Sequence, residues 1–164
     1  MTLDTKISVQ IVDYNNSSDS RALLALLEQY ALDPMGGASP LPEHTRASLC
    51  KKLAERSDAL SLIAWAGDEA VGLVNAFEGF STFAAQALIN VHDVYIKPEY
   101  RGRGVLEQIF QRLDTIATQR NCCKLTLEVL ANNQRAQAAY RKLGFGAYEL
   151  ADSAGQALFW QKKL

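Results

Sequence analysis

Cysteine and histidine are both scarce, with three cysteines and two histidines in 164 residues. Cys50, Cys122 and Cys123 give no disulfide framework, and an adjacent pair with no second Cys or His pair nearby is a poor metal site. Two histidines argue against a multi-histidine zinc centre, so no metal is expected. Basic excess is lacking too. The net charge is −1, whereas nucleic-acid-binding domains show clear positive charge, so no nucleic-acid partner is expected. No apolar run reaches the roughly 18 residues of a membrane-spanning helix, so no membrane partner is expected either. The N-terminal MTLDTKISVQ has no basic segment followed by an apolar core. It does not read as a secretory signal, and the expected location is cytoplasmic.

What is present is ordinary globular composition, 48% apolar and 21% charged, in a length that fits one domain over residues 1–164. Alternation predicts a first strand over 6–14. Ser17, Ser18 and Asp19 offer caps for a helix whose leucines recur at helical spacing through residue 32. Residues 33–42 hold three of the four prolines and read as a loop. A second helix is expected over 43–56. Strands over 60–66 and 70–77, joined by Gly67-Asp68-Glu69, form a hairpin signal. Small and aromatic residues over 79–87 lead to a long strand over 88–96. A helix over 105–120, a buried strand over 123–130 and a helix over 133–143 ended by Gly144 follow. A closing antiparallel pair is expected over 146–150 and 156–161. The fold class is therefore α/β: a mixed, mostly antiparallel sheet of about seven strands with helices on both faces.

The stretch NVHDVYIKPEYRGRGVLEQIFQ joins a β-branched strand to a helix through a turn in which glycines and arginines alternate. Gly102 and Gly104 allow a tight backbone turn. The helix start offers unpaired N–H groups and a positive dipole end, and Arg101 and Arg103 add charge suited to phosphate oxygens. Alone, this is a generic anion cradle.

Two segments carry a resemblance. Arg101, Gly102-Arg103, Gly104, Val105 and Leu106 resemble the acetyl-CoA-binding segment of the GNAT superfamily of N-acetyltransferases. That segment reads Arg or Gln, two residues, Gly, one residue, then Gly or Ala. Leu106 stands where the pattern has a small residue. Downstream, LEVLANNQRAQAAYRKLGF resembles the superfamily's second segment, with Asn133, Ala136, Tyr140, Gly144 and Phe145 in register. A looser likeness points to the spermidine/spermine and thialysine acetyltransferase branch. The resemblance implies a GNAT-like fold and acetyl-CoA as co-substrate. It also implies that Val94, Tyr95 and Ile96 pair their backbone with the pantetheine amides, and that Arg101, Gly102, Arg103, Gly104, Val105 and Leu106 grip the pyrophosphate. Asn133 would bond the pantetheine arm, or serve only as a helix cap. One of Arg135, Arg141 and Lys142 is a candidate for the 3′-phosphate; otherwise they form a solvated face.

Acetylating an amine needs its neutral form, and with a pKa near ~10.4 only about one amine in a few thousand is neutral at pH 7. A base is therefore required. His92 is the first candidate, falling where polyamine-acetylating relatives carry Glu, and imidazoles titrate near ~6.5. Asp93 and Glu78 are alternatives, each able instead to hold a cation, and strand alternation sends His92 and Asp93 to opposite faces unless a bulge intervenes. A backbone N–H near Val94 is the expected oxyanion donor. Tyr140 holds the family position of the acid that protonates the departing thiolate, and its ring also fits helix packing. By the same resemblance the acceptor pocket is framed by residues 28–43 and 77–83, with Glu28, Tyr30, Glu78 and Phe80 as candidate substrate contacts. Aromatic and acidic residues together suit a small cationic amine. The expected function is transfer to a small-molecule amine. The alternatives are a protein lysine or N-terminal acetyltransferase and a catalytically idle CoA-binding regulator. A homodimer is a frequent state among such proteins and stays open.

Overall fold

The computed structural model describes residues 6–148 and 157–164. The chain forms two compact units, one ending at Leu127 and one running from Glu128 to Leu164. In the first, β1 (Ile7–Ile11) is followed by α1 (Ser17–Leu32) and α2 (Glu43–Ala54). Next come β2 (Ala59–Ala66), β3 (Glu69–Ser81) and β4 (Gln86–Ile96). A single 3₁₀ turn (Pro98–Tyr100), α3 (Val105–Gln119) and β5 (Leu125–Leu127) complete it. The sheet order is β1-β2-β3-β4-β5. The first four strands pair antiparallel, and β5 runs parallel to β4. The second unit carries α4 (Gln134–Lys142).

Helices cover both sheet faces, as β3 shows. Leu73 joins Leu23, Leu26, Leu27, Leu53, Ile63 and Tyr95 in the core under α1 and α2. Its neighbour Gly72 faces the other way, where a Cβ would come within 2.7 Å of Ile96 Cδ1 and 3.1 Å of Ile109 Cδ1. Glycine at 72 thus lets the start of α3 lie close on the sheet. The stripe Val105, Ile109, Leu113, Ile116 and Ala117 of α3 is buried, as its 3.6-residue period requires.

Several expectations need correction. The described residues hold five strands instead of about seven. The closing pair falls partly on 149–156, outside the described residues; its described parts, 146–148 and 157–161, hold no strand. The segment over 79–87 is no connector, because β3 and β4 extend into it and pair as far as Ser81↔Gln86. Phe80 is 64% exposed there, so no burial pattern betrays the strand in the sequence. The cap of α1 is Asn16, whose side chain accepts from the N–H groups of Ser18 and Asp19. The strand expected over 123–130 shrinks to three residues, for a reason that lies in β4.

Candidate functional site

From Gly72↔Ile96 to Asn75↔Asp93 the strands β3 and β4 pair residue for residue, but Ala76 then faces Val91. His92 is the extra residue of a β-bulge. The bulge cancels the alternation that would have parted His92 from Asp93. His92 Nδ1 lies 3.8 Å from Asp93 Oδ1, with the imidazole 61% exposed and the carboxylate 26%. The His92 ring stands edge-on to Phe77 at 5.7 Å, and the Arg56 guanidinium lies over the Phe77 ring, 5.4 Å from its centre.

The bulge also changes what the strand edge offers. Ahead of it, Ile89, Asn90 and Val91 pair with Leu125, Thr126 and Leu127 of β5, and Asn90 Nδ2 donates to Thr126 Oγ1 at 3.0 Å. Beyond it, β5 has no partner residue on β4. At the far end, Lys97 N–H donates to Val71 O, towards β3. Alternation then turns Asp93 and Tyr95 backbone groups to β3, and those of Val94 and Ile96 to the edge that β5 leaves uncovered. Arg101 Nε donates to Ile96 O at 2.8 Å, which fits that direction. The N–H groups of Val94 and Ile96 and the Val94 carbonyl point the same way.

Through the 3₁₀ turn, this half-strand leads into the glycine turn. Gly102 and Gly104 have φ of +73° and +76°, left-handed values that a side chain would strain. Gly104 starts α3 without a side-chain cap, so the first-turn N–H groups of the helix are left for another acceptor. Arg101 has a structural duty: besides Ile96 O it holds Asp33 Oδ2 at 3.2 Å and lies 5.8 Å from the Tyr95 ring centre. Arg103, 5.7 Å from the ring centre of Tyr100, is the exposed cation of the turn. Leu106 is half-buried beside Val105, which is the residue that packs into the core. Lys97 and Tyr100 both bond Glu69, at 2.7 and 2.8 Å, and brace the turn from below. Those two hydrogen bonds hold the Glu69 carboxyl below the usual glutamate range.

The candidate substrate residues divide. Tyr30 of α1 stacks at a tilt 6.0 Å from Tyr95, and its phenol is raised by burial, then by the charges of Asp93 and Asp33. Tyr30 and Asp93 therefore belong to one region. Glu28 accepts from Leu41 N–H and pairs with Arg46, a duty that ties the 33–42 loop to α1 and α2. Glu78 pairs with Arg120 at the end of α3, and Phe80 sits further out near the hairpin tip. Neither is gathered with His92 and Asp93. Asp93 instead has partners that sequence reading passed over: Oδ2 accepts from Asn75 Nδ2 at 3.0 Å, and Asn75 Oδ1 accepts from Ser61 Oγ at 2.6 Å. Ser61 and Asn75 are the two buried polar residues among the described ones, a signal visible as polar letters at core positions of apolar strands.

In the second unit, Asn133 caps α4 by accepting from Ala136 N–H at 3.1 Å. At the other end, Phe145 N–H bonds Tyr140 O, Gly144 N–H bonds Arg141 O, and Gly144 has φ of +90°. This is a Schellman cap, with the accompanying apolar contact made by the Tyr140 and Phe145 rings at 6.0 Å. The Tyr…Gly-Phe spacing is thus also the grammar of a helix stop, in which the Tyr140 backbone and ring take part.

Residues 23–145 match the family described as the Acetyltransferase (GNAT) family. The chain belongs to the GNAT acetyltransferase family. The thialysine N-epsilon-acetyltransferase of Bos taurus is 38% identical over 71 residues, 43% of this chain and 41% of that protein. Its counterpart in Caenorhabditis elegans is 29% identical over 94 residues, 57% of this chain and 58% of that protein. The match thus spans about two-fifths to three-fifths of these curated relatives, and they agree with the branch the sequence resembles. The GNAT fold is shared with an aminoglycoside acetyltransferase from a soil metagenome, solved with sisomicin, at a TM-score of 0.79 and 14% identity over 99% of both chains. A second structure, AAC(6')-Iy with a CoA-containing bisubstrate analog, has a TM-score of 0.76 at 18% identity, covering 97% of this chain and 99% of the other.

Proposed function

We propose that this GNAT chain is an acetyl-CoA-dependent N-acetyltransferase acting on a primary amine of a small molecule, with thialysine and related amino-acid or polyamine amines as first candidates. One observation carries the reading: a strand edge at Val94 and Ile96 that no other strand pairs among the described residues leads, within one turn, into left-handed glycines and a helix start with no side-chain cap. A linear ligand with amides at one end and phosphates at the other fits such a series, and the donors present suit it. Bound acetyl-CoA supplies the thioester carbonyl and, on its cleavage, the thiol. Val94 and Ile96 pair with the amides of the pantetheine arm, with Tyr95 between them facing the core. The N–H groups of the 102–106 turn and the Arg103 guanidinium hold the pyrophosphate. Asn133 contributes to the arm by its place in the second motif.

Asp93, with His92 beside it, draws the ammonium and takes its proton, while the Val94 N–H offers a donor for the developing oxyanion. Tyr30 lines the same region. Tyr140 protonates the departing sulfur by its place in the Asn133–Phe145 pattern. Two relatives named for thialysine support the acceptor class. Among the described residues, no helix is long and apolar enough to cross a membrane. Cys50, Cys122 and Cys123 are free thiols, which suits a reducing compartment, and the cytoplasm is the proposed location.

The test is purified protein with acetyl-CoA and a panel of thialysine, lysine, spermidine and lysine peptides, following free thiol. Thiol release with a small amine is expected. Tight CoA binding without release for any acceptor would instead leave the chain as a CoA-binding regulator, and release with peptides alone would move the acceptor to proteins.

A further inference from the structure

A chain of hydrogen bonds crosses the sheet core and ends on Asp93. Tyr14 Oη lies 2.9 Å from Ser61 Oγ, Ser61 Oγ 2.6 Å from Asn75 Oδ1, and Asn75 Nδ2 3.0 Å from Asp93 Oδ2. The carboxylate settles every donor in it. An ionised carboxylate only accepts, so the Asn75 amide must turn its NH₂ to Asp93. That leaves Oδ1 for Ser61, whose hydroxyl proton must point there. Tyr14 is then the donor to Ser61. All three dipoles are aligned towards Asp93, an arrangement in which each bond strengthens the next.

Ser61 is 1% exposed and Asn75 5%. Polar groups this deep are costly unless paired, and valine or alanine would fill these strand positions without that demand. The Tyr14 phenol is itself raised by burial, its bond to Ser61 acting the other way. It therefore stays a donor throughout the neutral range. No proton travels along this chain, because an amide in the middle does not pass one while keeping its tautomer. It is a clamp, and what it clamps is one oxygen of Asp93. The other oxygen, Oδ1, is left facing His92 Nδ1.

We infer that Asn75, backed by Ser61 and Tyr14, is a positioning residue that fixes the Asp93 carboxylate so that Oδ1 addresses the His92 imidazole and the acceptor amine. This rests on the acetyl-transfer reading given above. Loss of the outer hydrogen bond behind a metal-ligating side chain costs roughly tenfold to a hundredfold, and a loss of the same order is expected for the contact behind Asp93. The effect should grade along the chain, greatest for Asn75→Ala, smaller for Ser61→Ala and least for Tyr14→Phe, which leaves the two bonds nearer Asp93 in place.

The experiment is a double-mutant cycle on the full chain, with acetyl-CoA and thialysine or whichever panel amine turns over fastest. Each variant is checked for thermal melting and for CoA affinity by calorimetry. Asn75→Ala should lower kcat by roughly ten- to a hundredfold with CoA affinity within about twofold of wild type. In an Asp93→Ala background the same substitution should change kcat by less than about twofold, because the group it acts through is gone. Equal losses in both backgrounds would make Asn75 a general structural residue and overturn the inference alone. Should Asn75→Ala fail to fold, the cycle is run with Ser61→Ala and Tyr14→Phe, and additive losses there overturn it equally. Wild-type protein that releases no thiol with any acceptor overturns the acetyl-transfer reading and this inference with it.

Discussion

The two halves of β4 are built from the same kind of residue and do different things. Before His92, the strand is paired on both sides, and its fork with β5 is fastened by Asn90 and Thr126. After His92, among the described residues, it pairs with β3 alone and turns the Val94 and Ile96 backbone groups to the opposite edge. One inserted residue separates a half-strand paired on both sides from one that β5 leaves unpaired. The same insertion brings His92 and Asp93 to one place. A bulge therefore does two jobs that sequence alternation alone would have kept apart.

Substitutions in the second half should show in chemistry and binding, and those in the first half in stability. The largest effect is expected from Asp93→Ala, a fall in kcat of roughly a hundredfold or more, read from thiol release at saturating acetyl-CoA. A loss under about threefold would move the base role to His92 or to solvent. Next comes Gly104→Val. A β-branched side chain at φ of +76° costs about 1–3 kcal/mol of strain, which the free turn sheds by changing conformation and CoA binding must restore, so CoA affinity by calorimetry should fall roughly tenfold to a hundredfold while folding survives. Asn90→Ala, on the closed side, should lower stability by about 1 kcal/mol in urea unfolding and leave kcat and CoA affinity unchanged.

The smallest effect concerns the brace under the turn. The Glu69 carboxyl is held low by the bonds from Lys97 and Tyr100. The folded chain therefore gains from this contact above the unfolded glutamate pKa of ~4.3 and loses the gain as pH falls through the folded value. The melting temperature of wild type should exceed that of Glu69→Gln at pH 7, with the gap closing below pH ~4. A constant gap across that range would mean that charge at Glu69 has no part in it.

How much of this could be read from the letters depended on where the information sat. The glycine turn, the α3 stripe and the Asn133 and Gly144 caps are local, and their residues announce them. The tip of the β3–β4 hairpin carries no burial pattern, because Phe80 and its neighbours are solvated, so only backbone pairing defines it. The bulge at His92 is a register property of two strands and appears in neither alone. Arg101 looks like a phosphate ligand by spacing, yet Asp33, 68 residues away, takes its guanidinium, and Glu28 is engaged by the 33–42 loop and α2 in the same non-local way. Ser61 and Asn75 were visible as polar interruptions in apolar strands, but their meaning required knowing that Ser61 bonds Asn75 and Asn75 bonds Asp93.

In the proposed function the second half of β4 receives CoA. Residue-resolved amide hydrogen exchange, with and without saturating CoA, tests it most directly. Val94 and Ile96 amides should exchange readily in the free protein and become protected on CoA addition, while Ile89 and Val91 stay as they were. Saturation with CoA that leaves Val94 and Ile96 exchange unchanged would contradict the account.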